Sequence, residues 1–168
     1  MSKEFDEELK KLGVTELNEK AENAVAVAVA ATTATGAIPI PFADAPLLIG
    51  EQVVLMTSIC GIYGINVSKE GLKMLAMVAL EAGGATVVGK TIATNLLKFI
   101  PGVGSVAGGA ISGGTAGLVT LAMGKSFIEV CNMVKVGKLS EFDITSKKGT
   151  TVMKDTFKKQ LKINKGKK

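Results

Sequence analysis

Three prolines, Pro39, Pro41 and Pro46, fall within eight residues, and long apolar runs flank them on both sides. Proline has no backbone N–H and drives the residue before it out of the helical region, so neither run can continue as helix through the cluster. The reading that follows is two helices joined by a rigid corner. Asp44 sits inside that corner, two residues before Pro46, where a carboxylate can cap the next helix. Pro101 makes a second corner between a Phe-Ile pair and a Gly-Val-Gly turn. Ile38-Pro39 and Ile100-Pro101 are then equivalent points of a weak internal repeat. The expected fold is all-α: two stacked apolar helical hairpins with proline corners, plus an amphipathic helix at each end.

Charge divides the chain in three. Residues 1–22 hold seven acids and four lysines, residues 23–138 only twelve charges, and residues 139–168 nine lysines and three acids. We read an acidic amphipathic N-terminal segment, an apolar helical-hairpin domain and a basic amphipathic C-terminal tail over those ranges. Phe5, Leu9 and Leu12 are helically spaced in the first segment, and Gly13 ends it. Thr15 is the expected cap of the next helix, which runs to about residue 38. The alternating Ala-Val stretch at 24–30 imitates a strand, but alanine is the best helix former and the lead-in is helical.

In the helix over 46–65, Glu51, Gln52 and Ser58 are expected on a polar side. Leu48, Val54, Leu55, Ile59 and Ile62 are expected on the apolar one. A third helix starts at Asn66 or Ser68 and runs to about residue 99, with Gly83-Gly84 as its kink and a polar stripe through Lys90, Thr91, Thr94, Asn95 and Lys98. Residues 99–124 carry no charge and lead into helix through residue 136. A last amphipathic helix over 150–163 lines up Val152, Met153, Phe157 and Leu161.

Composition excludes several chemistries. The chain has no His, which is the commonest zinc ligand and general base, and no Arg, so bidentate phosphate clamping is missing. Cys60 and Cys131 lie in apolar helical segments and read as two buried thiols rather than a disulfide, which points to a reducing compartment. The charged N-terminus has no signal-peptide core, so a cytoplasmic location is expected, at the inner face of the membrane if lipid is a partner.

Residues 84–91 match a phosphate-binding loop literally, with Gly84, Gly89, Lys90 and Thr91 at the defining positions. Such a loop follows a strand, and here the lead-in has helical charge spacing at Glu70, Lys73 and Glu81. We expect no cofactor and no metal, with a glycine-relieved helix as the plain reading of the match. Gly104, Gly108, Gly109, Gly113 and Gly117 provide overlapping four-residue spacings, the pattern that lets helices approach closely in lipid or in a soluble bundle. Asp44 reads as a cap rather than a buried acid. Tyr63 reads as a buried aromatic with a satisfied hydroxyl. The tail from Lys147 suits a solvated surface or anionic lipid; without Arg and with one aromatic it suits specific nucleic-acid readout poorly.

The set Pro-Ile-Pro-Phe-Ala-Asp-Ala-Pro at 39–46, Gly-Ile-Tyr-Gly at 61–64 and Ile-Pro-Gly-Val-Gly at 100–104 resembles a bacterial domain family of unknown function. That domain often follows an Era-like GTPase domain, and many members are membrane-associated. The resemblance spans about residues 20–136. It implies an all-helical module with two hydrophobic hairpins and gives no catalytic residue to carry over. The GTPase domain is missing here, so any GTPase would be a separate chain. The expected function is a non-enzymatic helical module for membrane association, self-assembly or both. The alternatives are a soluble self-assembling structural protein and a small nucleotide-binding protein using residues 84–91.

Overall fold

A computed structural model describes residues 3–36, 44–83 and 105–165. They form six helices and no strand: α1 (Lys3–Lys11), α2 (Thr15–Gly36), α3 (Asp44–Tyr63), α4 (Lys69–Gly83), α5 (Ser105–Lys135) and α6 (Lys147–Lys165). The all-α expectation holds, and the Ala-Val alternation at 24–30 lies inside α2.

Local chemistry sets most of the boundaries. Gly13, Gly64 and Gly137 all have positive φ, which a glycine adopts without penalty. Each closes its helix with a paired motif. Gly13 N–H donates to the Lys10 carbonyl and Val14 N–H to the Leu9 carbonyl, and the same pattern recurs at Gly64/Ile65 and Gly137/Lys138. Ser68 starts α4, its hydroxyl accepting the Gly71 N–H at 3.1 Å. At α2 the cap position belongs to Val14, whose carbonyl accepts from Asn18 N–H; Thr15 is already in the first turn. Asp44 opens α3 and Pro46 falls in its first turn, where a missing N–H costs no intrahelical bond. Pro39, Pro41 and Pro101 lie outside the described residues.

α5 is the axis of the fold. It packs against α2, α3 and α6, while α3 also packs on α2 and α4, and α4 on α6. Leu55, Met56, Ile59, Leu75, Ala79, Met123, Phe127 and Cys131 fill the space between these helices. α5 is also the one described helix long and apolar enough to cross a membrane, over Ala116–Lys135, and 67% of that window is buried inside the fold.

Two side-chain expectations are overturned. Gln52 is fully buried and Val54 is 67% exposed, the reverse of the assignment to polar and apolar sides. The buried side of α3 is Gln52, Leu55, Met56, Ile59, Cys60 and Tyr63, a single stripe at helical spacing into which the amide falls. Leu12 is exposed, because Gly13 turns the chain before it can join Phe5 and Leu9 in the core. Met153, Phe157 and Leu161, the apolar side that the sequence lines up on the last helix, are buried within the protein.

Candidate functional site

The glycines of α5 show how the helices come together. Gly117 and Gly124, two turns apart, sit against α2: a Cβ on Gly117 would meet Thr33 Oγ1, and one on Gly124 would meet Val25 Cγ2, both under 3.0 Å. Gly108, Gly109 and Gly113 belong to the same helix, in the turns before this contact. Gly104 lies outside the described residues. Gly124 escaped the spacing argument because seven residues, not four, separate it from Gly117.

Two polar groups cross the core. Gln52 Nε2 donates to Thr120 Oγ1 at 2.9 Å between α3 and α5, and Gln52 Oε1 is buried with no partner. Tyr63 places its hydroxyl between the amides of Asn18 and Asn132, 3.0 Å from the Asn132 Oδ1, which satisfies it as expected. A phenol has one proton, so it donates to one amide oxygen and the other amide must offer its NH2 for both contacts to bond. Burial pushes the tyrosine well above its ordinary range. Cys60 and Cys131 are free and buried. Burial, then the Glu141 carboxylate, pushes the Cys60 thiol up to about 11, and burial raises Cys131 as well. Both thiols are held neutral, which is the form that neither attacks nor ligates.

No group of three or more His, Cys, Asp or Glu among the described residues is arranged to hold a metal. Gly84, Gly89, Lys90 and Thr91 lie outside those residues. A groove of about 760 Å³ lies between α2 and α3. Ala24, Ala28, Ala31 and Gly50 make its floor and walls small, and Val27 and Val54 stand on its two helices at 71% and 67% exposure. Asn23, Thr32, Glu51 and Ser58 are the polar residues of its lining. Val27 and Val54 line the same groove from its two helices, so its rim offers apolar contact. Sequence reading missed the groove because it put Val54 inside.

A helical fold with a close glycine contact between α2 and α5 and an apolar groove between α2 and α3 defines an all-helical module. Residues 1–165 match the family model described as a domain of unknown function, DUF697, and the chain belongs to that family. No curated protein and no solved structure matches it.

Proposed function

We propose that the protein is a non-enzymatic association module that self-assembles through the α2/α3 groove. The groove itself carries this reading. Its small residues admit close approach of a helix, and the same face offers Val27 and Val54 as projections. A surface with both hollow and projection can pair with its own copy about a two-fold axis. The missing His and Arg support a non-enzymatic role. Membrane association and a separate GTPase partner enter from the family resemblance and are secondary to the groove.

The test is solution mass by light scattering, for the wild type and for Val27→Glu and Val54→Glu. Both sites are exposed, so either variant keeps its fold, checked by circular dichroism. A concentration-dependent dimer in the wild type and a monomer in both variants is the expected outcome. A wild-type monomer at all concentrations removes the proposal.

A further inference from the structure

The turn joining α5 to α6 presents Phe142 at 92% exposure, by far the most exposed of the large apolar side chains described. The turn that holds it is firmly tied. Ser140 N–H and Oγ both donate to Asp143 Oδ2 at 2.9 Å, and Asp143 N–H donates back to Ser140 Oγ. Glu141 Oε2 accepts the Asn66 N–H at 3.1 Å, and Lys148 Nζ donates to the Lys138 carbonyl at 3.0 Å. Gly149 lies so close to the Asp143 and Ile144 carbonyls that a Cβ there would stand under 3.0 Å from either oxygen. An aromatic ring held out by that many contacts is displayed by a preformed turn.

The helix that follows is one-sided. Gly149, Met153, Thr156, Phe157 and Leu161 face inward. Lys147, Lys148, Lys154, Lys158, Lys159 and Lys162 are all exposed, and at 100° per residue they fall in one sector of the helix. Asp155 is the only acid in that sector; Lys148 also acts electrostatically on Asp143, and no salt bridge joins a described acid to the other five. Ile163, 45% exposed, lies at the far end. The two acids flanking Phe142 are both engaged: Glu141 accepts from Asn66 of the α3–α4 connection, and the Ser140 bonds, with Lys148 nearby, hold Asp143 below the usual carboxylate range.

We propose that the outer face of α6 and the Phe142 turn together form a peripheral docking surface for an anionic phospholipid bilayer. Lysines are compact, strongly hydrated charges that suit a diffuse anionic plane, and the exposed ring needs an apolar layer behind that plane. Nucleic acid would satisfy the lysines, but there is no arginine to grip its phosphates. The surface is separate from the α2/α3 groove, since α6 packs on α4 and α5, so this inference does not depend on self-assembly. The buried side of α6 holds the fold together and its charged side faces the lipid.

The chain has no tryptophan, so Phe142→Trp introduces a single indole reporter. The full chain is mixed with vesicles of phosphatidylcholine alone or with phosphatidylglycerol, at low and high salt. Binding is expected only to the anionic vesicles, lost in high salt, with a blue shift of the indole emission on binding. Lys154→Gln/Lys158→Gln should weaken binding about 30-fold, from two lysines near the surface. Phe142→Ser should weaken it about 10-fold, as a half-inserted ring. Unshifted emission in the bound protein, equal binding to neutral vesicles, or variants that bind as wild type each overturn the proposal. So does tighter binding to duplex DNA or RNA than to anionic vesicles.

Discussion

Gly124→Ala separates packing from helix propensity at one position. In an exposed helix, replacing glycine by alanine stabilises by about 1 kcal/mol. At Gly124 the new methyl would stand under 3.0 Å from Val25 Cγ2, with Val25 Cγ1 at 3.0 Å and Leu55 Cδ2 at 3.2 Å. Val25 is buried in α2, and valine in a helix has one strongly preferred rotamer, so its methyls cannot swing aside. Relief requires α2 and α5 to separate slightly, and overpacking of this kind costs about 1–3 kcal/mol. The packing term outweighs propensity, so Gly124→Ala should destabilise by about 1 kcal/mol and lower Tm by about 2–4 °C. Gly61→Ala in α3, with nothing within 4 Å of the new Cβ, should do the opposite. In a Val25→Ala background the obstruction is gone, and Gly124→Ala should become stabilising. Urea denaturation of the four combinations measures the coupling. If Gly124→Ala stabilises the wild type as much as Gly61→Ala does, α2 and α5 are not in close contact there and the reasoning is wrong.

Thr120→Val leaves the buried Gln52 Nε2 without its acceptor and should cost about 1–3 kcal/mol, whereas Gln52→Leu/Thr120→Val together should be near neutral by chemical denaturation. Native Cys60 and Cys131 should resist alkylation at neutral pH and react only as fast as the fold opens, so labelling as fast as in urea would contradict their burial. A thiol raised from 9.0 to about 11 binds more protons folded than unfolded between those values, so stability should fall as pH rises across that window; Cys60→Ala should flatten the slope, and an unchanged slope refutes the assignment. Calorimetry with ATP or GTP and magnesium should show no binding at residues 84–91, and micromolar binding abolished by Lys90→Ala would restore the nucleotide reading.

What the chain determines by itself is where helices start and stop. Ser68 before a charged amphipathic run and Gly13 after one act within a few residues of backbone, so the boundaries at Lys69 and Lys11 were legible without knowing any partner. The burial of Cys60, Cys131 and Tyr63 was legible too, from the apolar segments that carry them, whereas the equally charge-free run of α2 leaves Val27 exposed. Which way a helix faces was decided only by the assembled fold. α3 carries apolar residues around its circumference, so pattern alone cannot orient it. The stripe through Leu55, Met56, Ile59 and Tyr63 turns toward α5, which carries Gln52 inward to Thr120 and leaves Val54 at the groove. Gly124 and Phe142 were likewise invisible: a close approach needs the opposing Val25, and an exposed ring needs the turn that denies it a core. Helix ends are fixed by hydrogen bonds among near neighbours in sequence, whereas helix faces are fixed by excluded volume between residues far apart in it.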